Sequence, residues 1–333
     1  MALSTSLGQS QPQTGTAGNI IIEAKAVSKH FGSEIAINEV SFQIPPAKIF
    51  GFIGPSGSGK TTMIRLLAGI YKPTAGEVTV FGLHPSQFTR QTRERIGYMP
   101  QLFVLYPSLT VWENLSFVAS IYGMGLRRSA RLKQALDFVE LGGHRNKLAR
   151  NLSGGMQRRL GLAATLVNDP ELIFLDEPTA GIDPVLRQKF WDHFRELRDK
   201  GRTLFVTTQY VGEAAYCDLV GVLIQGRLLM VDTPTGLRHR AFGGEIIDLR
   251  TKERLDHSHV EILRGLPFVT GNVTRPDEQG PVVRLIVDEA STAMPALLEW
   301  CKEQDIAVES IEEHLPPYDD IFVALVKKEA AHG

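Results

Sequence analysis

The sequence has few cysteines, no excess of charge of either sign and no long hydrophobic run. Only Cys217 and Cys301 occur among 333 residues, without a CxxC motif, so neither a disulfide framework nor a thiolate metal site is indicated. The 36 basic and 37 acidic side chains leave a net charge of −1, so no global basic field would recruit nucleic acid. Apolar residues make up 43%, a globular composition that excludes disordered, collagen-like and coiled-coil chains.

A membrane-spanning helix would need about 18 or more consecutive apolar residues, and the sequence has no such run. The best candidate, residues 218–232, is interrupted by Gln225, Gly226 and Arg227. Residues 1–18 carry no charge and lack both the basic and the apolar region of a signal peptide. We therefore expect a flexible tail followed by domains that do not span a membrane.

Short β-branched runs alternate with helical periodicity from Ile20 to about Val231. This alternation predicts an α/β domain with a largely parallel sheet. Residues 20–31 and 40–45 are predicted strands, and residues 48–54 are a buried strand that runs into a glycine-rich turn. A helix is expected to follow this turn directly.

Residues 111–141 are predicted to form a helical insertion in this α/β unit. Thr110 and Glu113 have the spacing of a capping box, and Gly142 is predicted to end the last inserted helix. The apolar face of that helix repeats at helical spacing and consists of Leu132, Ala135, Leu136 and Val139.

Beyond Pro234 the predicted order of elements is β-α-β-β-α-β, with its second strand at residues 268–273 and an amphipathic piece at the end. Such an order predicts a small α+β unit of ferredoxin-like type. No chemical motif is visible in this part of the sequence.

A glycine-rich phosphate-binding motif, GxxxxGK[ST], follows the buried strand and opens a helix. Backbone N–H groups of such a loop converge on phosphate oxygens, Lys60 supplies a positive charge to the β- and γ-phosphates, and the Thr61 hydroxyl can bind Mg²⁺. We expect Lys60 to lie outside the core. The alternative is a tight turn between strand and helix. The candidate nucleotide-binding residues here are Gly54, Pro55, Ser56, Gly57, Ser58, Gly59, Lys60, Thr61 and Thr62.

Two adjacent carboxylates end the apolar strand at residues 171–176. Ligands bind at the carboxyl ends of strands in open α/β sheets. Asp176 fits the acid that holds Mg²⁺ in nucleotide hydrolases, and Glu177 fits a residue that orients or deprotonates water. The alternative for Glu177 alone is an acidic helix N-cap.

The string LSGGMQRR at residues 152–159 distinguishes between families that share the phosphate-binding loop, because kinases and small GTPases do not need a Ser-Gly-Gly helix start after their lysine. Together with the loop and the paired carboxylates, in this order, it makes residues 20–235 resemble the ATP-binding cassette ATPases. The resemblance implies an α/β cassette at residues 19–236, with a helical subdomain at about 102–168, followed by the small α+β domain at residues 237–333.

The resemblance also implies roles for residues outside the loop. Phe31 would stack on adenine, with a plain core aromatic as the alternative. Gln101 would be the Mg²⁺-sensing glutamine, and it would contact the ion together with Thr61 and Asp176. Ser153, Gly154 and Gly155 of the signature would contact the γ-phosphate of ATP held by a second cassette, and Asp183 belongs to the loop that accompanies it. Gln209 stands where most of the family has histidine and would sense the γ-phosphate.

The resemblance finally implies ATP and Mg²⁺ as cofactors, and an integral membrane subunit and a second cassette as partners, at the cytoplasmic face of a membrane. No nucleic acid partner is expected. The strings IYGMG, AGIDP, TTQY and PPYDDIFVAL resemble the drug-resistance exporter branch, although Tyr318 and Asp319 depart from its usual ending. Export of a drug, lipid or other small amphiphile is the favoured interpretation. A polysaccharide or ion exporter, and a soluble cassette ATPase outside transport, are the alternatives.

Overall fold

The computed structural model describes residues 20–102, 104–125 and 128–332, and the tail predicted at residues 1–18 lies outside them. The strands are β1 (Ile22–Phe31), β2 (Glu34–Ile44), β3 (Ile49–Ile53), β4 (Ala75–Val80), β5 (Ile96–Met99), β6 (Leu172–Asp176), β7 (Thr203–Thr208), β8 (Leu219–Ile224), β9 (Arg227–Asp232), β10 (Glu245–Thr251), β11 (Val282–Val287) and β12 (Val308–Glu313). The α-helices are α1 (Lys60–Leu67), α2 (Arg90–Glu94), α3 (Val111–Ile121), α4 (Ser129–Phe138), α5 (Gly154–Leu166), α6 (Pro184–Asp199), α7 (Pro234–Phe242), α8 (His257–Arg264), α9 (Ala290–Glu303) and α10 (Tyr318–His332).

A six-stranded sheet in the order β5-β6-β7-β3-β8-β9 forms the centre of the cassette. The first five strands are parallel, and β9 is antiparallel to β8. Every residue of β3, β6 and β7 is buried, as expected for a parallel sheet covered on both faces. The carboxyl ends of these three neighbouring strands therefore form one edge, where polar side chains can leave the apolar interior.

A second, antiparallel sheet in the order β2-β1-β4 covers one side of the central sheet. Phenylalanine rings fill the space between the two sheets. The Phe50 and Phe205 ring centroids are 5.3 Å apart, and those of Phe42 and Phe50 are 5.5 Å apart. Strand β2 begins six residues before the predicted strand at 40–45, because its first part pairs with the end of β1 beyond the continuous apolar run.

The helical insertion has the predicted capping box and buried face. Thr110 Oγ1 accepts a hydrogen bond from the Glu113 amide at 3.1 Å, and Glu113 Oε2 accepts one from the Thr110 amide at 2.8 Å. The four apolar residues at helical spacing are all buried. Helix α4 nevertheless ends at Phe138 rather than at Gly142, because Glu140 adopts a left-handed conformation, with φ of 56°, and breaks the helix earlier.

The small α+β unit has a three-stranded antiparallel sheet in the order β11-β10-β12, packed against α8 and α9. The strand predicted at residues 268–273 is wrong. Two isolated bridges, Val269 to Val287 and Thr274 to Arg284, join this part of the chain to β11 in place of a continuous strand. Between them the amides of Thr270 and Gly271 both donate to the Ile286 carbonyl, at 3.0 and 3.4 Å, and this bulge shifts the register. The predicted order of elements, β-α-β-β-α-β, is therefore present except that its second strand is reduced to isolated bridges.

Helices α7 and α10 pack against the cassette. The domain boundary predicted between residues 236 and 237 falls inside helix α7. Tyr318, Ile321 and Leu325 of α10 are buried in the core cluster that also contains cassette residues such as Ala214. The end of the chain thus contributes to cassette packing. Within the part of the chain described here, no helix combines the length and the apolar character that crossing a bilayer requires.

This packing predicts that Ile321→Ala lowers the free energy of unfolding by about 2–5 kcal/mol, because the side chain is 1% exposed and its loss leaves a cavity. The control is Val323→Ala on the same helix, which is 49% exposed and should change stability by less than about 0.5 kcal/mol. Denaturant unfolding followed by tryptophan fluorescence measures both. Equal effects of the two substitutions would contradict the placement of α10.

Candidate active site

The candidate site lies at the carboxyl edge of β6, β7 and β3, which are neighbours in the central sheet. The loop at residues 54–59 follows β3, Glu177 follows β6 and Gln209 follows β7. The Gly54 amide donates to the Thr208 carbonyl at 3.3 Å, and the Glu177 amide donates to the Thr207 carbonyl at 3.1 Å. Gln209 is exposed and stands between the other two groups, because β7 separates β6 from β3.

Glycine is required at both ends of the loop. A Cβ on Gly54 would lie 2.0 Å from the Leu223 carbonyl oxygen, and one on Gly59 would lie 2.3 Å from the Ala36 carbonyl oxygen. Gly59 has φ of 103° and precedes α1 without a side chain that could cap it. The first amides of α1, including that of Thr62, therefore point toward the loop, as in a site for anions. The Ser58 hydroxyl is buried and has no hydrogen-bond partner among the described residues.

Lys60 is buried, with 4% of its surface exposed, so the expectation that it lies outside the core is wrong. Its Nζ donates to the carbonyls of Gly54 and Pro55, both at 2.9 Å, and lies 3.5 Å from Glu177 Oε1. Burial lowers the pKa of Lys60, while the nearby Glu177 carboxylate opposes this shift. The ammonium is thus held at the centre of the loop by backbone oxygens.

Asp176 is buried at the end of β6. The hydroxyls of Thr61 and Thr207 both donate to its Oδ1, at 3.0 and 2.8 Å. Its Oδ2 is buried and has no hydrogen-bond partner among the described residues. Burial raises the pKa of Asp176, and the two threonine hydrogen bonds oppose that shift. A buried carboxylate oxygen next to a hydroxyl is an oxygen donor set of the kind that Mg²⁺ prefers.

Glu177 faces the same region, and its alternative as a helix N-cap is wrong. Gln101 Nε2 donates to Glu177 Oε2 at 2.8 Å. Helix α6 is instead capped by Asp183, whose carboxylate accepts from the Leu186 amide at 2.9 Å. Glu177 has φ of 47°, an unfavourable conformation for a residue with a Cβ, which turns the chain sharply where β6 leaves the sheet.

Two contributors to this arrangement were not predicted from the sequence. Thr207 fixes Asp176 and Glu177 through its hydroxyl and its carbonyl. Arg158 donates to the Gln101 carbonyl and joins this residue to α5. Both residues stand inside recognisable strings, TTQY and LSGGMQRR, but only the folded chain shows which atoms they contact.

The remaining predicted residues lie away from the phosphate loop. Ser153 caps α5, with its Oγ accepting from the Met156 amide at 3.3 Å, and it is exposed together with Gly154. Gly155 follows at the start of the same helix. A cavity of about 350 Å³ lies between this helix start, Gln101 and the 180–182 segment, and none of its lining residues belongs to the phosphate loop. Gly154 of the signature thus lines a space to which the phosphate loop of its own chain does not contribute.

Phe31 lies at the end of β1 and is 43% exposed, so the alternative that it is a core aromatic is wrong. Its ring meets Tyr71 edge to face, with the centroids 5.3 Å apart, and Lys29 Nζ lies 5.0 Å from the ring centre. A half-exposed ring at a strand end is accessible for stacking, while its role toward adenine stays a prediction.

Comparison with known proteins gives consistent matches. A family model described as ABC transporter matches residues 37–180. The chain is 38% identical over 230 residues to the Nod factor export ATP-binding protein I of Rhizobium etli, covering 68% of this chain and 73% of that protein. It is 37% identical over 235 residues to the probable multidrug ABC transporter ATP-binding protein YbhF of Escherichia coli, covering 69% of this chain. The match spans only 40% of the length of the Escherichia coli relative.

Solved structures give the same answer for the fold. A dimeric bacterial ABC transporter cassette matches with a TM-score of 0.60 and 29% identity, covering 64% of this chain and 98% of that one. The protein cbiO1 from Clostridium perfringens, part of an ABC transporter complex, matches with a TM-score of 0.59 and 26% identity, covering 66% and 90% of the two chains. The predicted cassette fold is confirmed.

The buried Asp176 carboxyl predicts a stability that depends on pH. Because its pKa is raised, the folded protein holds this proton more tightly than the unfolded chain does. Its contribution to stability therefore falls as pH rises from the ordinary aspartate pKa of about 3.9 through the raised value, and stays unfavourable at neutral pH. We expect Asp176→Asn to raise the melting temperature of the nucleotide-free protein at pH 7, with the gain vanishing in acid.

Thermal unfolding between pH 4 and pH 8 measures this effect. Asp183→Asn is the control, because asparagine caps a helix as well as aspartate does and should leave the melting temperature unchanged. An Asp176→Asn protein that melts lower than wild type at pH 7 would contradict the inferred cost of burying this carboxylate.

The geometry of Lys60 predicts that Lys60→Ala weakens ATP affinity about ten- to a hundredfold and abolishes turnover, because charged hydrogen bonds contribute about 1.5–3 kcal/mol. Lys60→Met keeps the length of the side chain and separates lost charge from lost packing in this buried position. Titration with a fluorescent nucleotide, alongside thermal unfolding, gives both quantities. Unchanged affinity in a folded Lys60→Met protein would refute a role of the ammonium in binding.

Proposed function

Because this chain belongs to the ATP-binding cassette family of transporter ATPases, we propose that it hydrolyses ATP to power export through a separate membrane subunit. The convergence of Lys60, Asp176 and Glu177 around one phosphate loop supports this proposal most directly. These groups come from three separate segments, and they supply a cation for phosphate, an oxygen ligand for a metal and a carboxylate for water. Few other reactions use this combination.

Mg²⁺ fits the residues around Asp176. The buried, unpartnered Oδ2 is an oxygen with a free lone pair, and Thr61 Oγ1 is already directed at the same carboxylate. Asp176, Thr61 and Gln101 would hold the ion, whose charge would offset that of the phosphates. Without that positive charge, burial disfavours the ionised form of Asp176. The carboxylate would therefore serve to bind a cation rather than to stabilise the fold.

Glu177 is the proposed general base, and Gln209 the proposed γ-phosphate sensor. The Glu177 carboxylate faces both Lys60 and Gln101, where a water beside the phosphate would lie within its reach. Gln209 can donate a hydrogen bond to phosphate but has no proton that titrates near neutral pH, unlike histidine. Hydrolysis should therefore show no titration between about pH 6 and 8 that depends on Gln209.

A complete site is proposed to require two cassettes. Ser153 and Gly154 are exposed at a helix start, and the cavity that Gly154 lines has no lining residue from the phosphate loop of the same chain. A second cassette would bring its signature onto the γ-phosphate, so that helix amides approach the phosphate from two sides. The dimeric cassette among the similar structures supports this arrangement.

The helical insertion offers the surface for a membrane subunit. Large apolar side chains are exposed between residues 102 and 121, where solvent contact is unfavourable, and two of them line the cavity beside Gln101. Leu102 is 76% exposed and Val104 is 67% exposed. The others in this group are Tyr106, Phe117 and Ile121. A permease segment that covers them would sit directly beside the residue that contacts Glu177.

Export is favoured over other transport because relatives that match most of the cassette carry export or multidrug names. The transported compound would be selected by the membrane subunit rather than by this chain.

We keep the proposed domain division, which places a cassette at residues 19–236 and an α+β domain at residues 237–333. Helices α7 and α10 are the elements that join the two.

Replacing the general base separates hydrolysis from binding. Glu177→Gln keeps the shape and the hydrogen bond with Gln101 but removes the base, so we expect the rate of hydrolysis to fall about 10²–10⁴-fold with ATP still bound. The ATP-bound pair of cassettes should then persist in size-exclusion chromatography with ATP and Mg²⁺. A Glu177→Gln protein that stays monomeric with bound ATP would count against the paired site.

Co-purification with a candidate membrane subunit, sought among the proteins encoded by neighbouring genes, tests transport itself. A stable complex whose ATPase activity responds to transported compounds is the expected result. Full ATPase activity with no membrane partner, and association with ribosomes or DNA instead, would favour the soluble alternative.

A further inference from the structure

Glu213 is a buried carboxylate that the proposed mechanism does not use. It lies in the 3-10 turn Val211–Tyr216, four residues after Gln209, and only 3% of its side chain is exposed. Neither of its carboxylate oxygens has a hydrogen-bond partner among the described residues. A buried charge in this state is unfavourable unless a cation compensates it.

Arg187 is the cation that faces Glu213. Its Nε lies 3.6 Å from Glu213 Oε1. The same guanidinium lies over the ring of Tyr210, with Cζ 4.3 Å from the ring centroid. One side chain therefore contacts both the residue that follows Gln209 and the carboxylate at the middle of the turn.

Arg187 also connects this turn to α6, the helix that follows the 180–183 segment. It stands in the first turn of α6, and its amide donates to the carbonyl of Asp183 at 2.9 Å. Asp183 in turn caps α6 with its carboxylate. The position of the Gln209 end of the turn is thus fixed relative to the beginning of α6.

The rest of the turn is held by other contacts. Tyr216 at its far end stacks on Trp191 of α6, with centroids 5.2 Å apart, and its hydroxyl donates to Gln188 at 2.8 Å. Val211 and Ala214 pack against α10. At the end that adjoins Gln209, the Tyr210 amide donates to Thr208 Oγ1 at 3.0 Å, and the ion pair and the stacked guanidinium connect this end to α6.

We propose that Arg187 and Glu213 are positioning residues for ATP hydrolysis, because their ion pair fixes Gln209 relative to α6, the helix that Asp183 caps. This inference rests on the proposed function. Neither residue touches the phosphate loop, so the pair acts on the rate of hydrolysis and not on the binding of ATP. Movement of α6 against a second cassette would be transmitted to Gln209 through this contact.

The first test compares variants in the full chain, assayed together with its membrane subunit. Arg187→Met should lower kcat about ten- to a hundredfold, as expected when a reacting group is misplaced, while KM for ATP is unchanged. Arg187→Lys keeps the positive charge and should recover part of the rate. The matched control is Tyr216→Phe, which breaks only the hydrogen bond with Gln188 at the far end of the turn and should leave kcat unchanged.

The second test separates positioning from stability. Arg187→Met alone leaves Glu213 buried and unpaired, so the melting temperature should fall. The double variant Arg187→Met/Glu213→Gln removes both charges, and its melting temperature should recover while kcat stays low. Recovery of kcat together with the melting temperature would overturn the positioning role.

The third test asks whether the pair acts through Gln209. Gln209→Ala should itself slow hydrolysis, and adding Arg187→Met to it should cause no further loss. A loss that multiplies would overturn the inference. If wild type hydrolyses ATP and Arg187→Met has a normal kcat, only this inference fails. If wild type with its membrane subunit does not hydrolyse ATP at all, the proposed function fails as well.

Discussion

The free-energy cost of burying the Asp176 carboxylate is the main constraint on which side chains can stand at the carboxyl edge of the central sheet. Strands β3, β6 and β7 are buried along their full length, so charged groups can stand only where these strands end. Two threonine hydroxyls donate to one oxygen of Asp176 and leave the other without a partner among the described residues. Fold stability alone would favour a neutral residue here, because an unpaired buried carboxylate is unfavourable. The proposed role of Asp176 as a ligand of Mg²⁺ would account for a carboxylate at this position.

The phosphate loop and Lys60, which lie beside Asp176, are likewise shaped by close packing and burial. The loop can bring backbone amides close to a phosphate only because Gly54 and Gly59 lack a Cβ that would collide with neighbouring carbonyls. Lys60 is then buried against loop carbonyls, and its ammonium remains near Glu177. A cation that is partly desolvated interacts more strongly with phosphate than one in water. The burial that lowers the pKa of Lys60 thus also strengthens its interaction with a bound anion.

Local patterns in the sequence predicted what short segments determine by themselves. The capping box at Thr110, the phosphate loop and the strand that ends in Asp176 depend on residues a few positions apart, and the structure has all three. The interrupted strand at residues 268–273 depends on a bulge at Thr270 and Gly271, which is set by pairing with β11. Likewise, the contact between Arg187 and Glu213 joins segments that are distant in the sequence, so no local pattern predicts it.

The turn after Gln209 is held in two physically different ways, with different consequences. Helix α10 contributes apolar contacts, which stabilise by removing surface from water and depend little on direction. Helix α6 contributes the stack of Trp191 on Tyr216 and a partly buried ion pair, whose energy changes steeply with the separation of the charges where the dielectric constant is low. A small shift of α10 would therefore change stability more than geometry, whereas a similar shift of α6 would move Gln209. Helix α10 is thus suited to setting the stability of the cassette, whereas α6, which Asp183 caps, would set the rate of the proposed ATP hydrolysis.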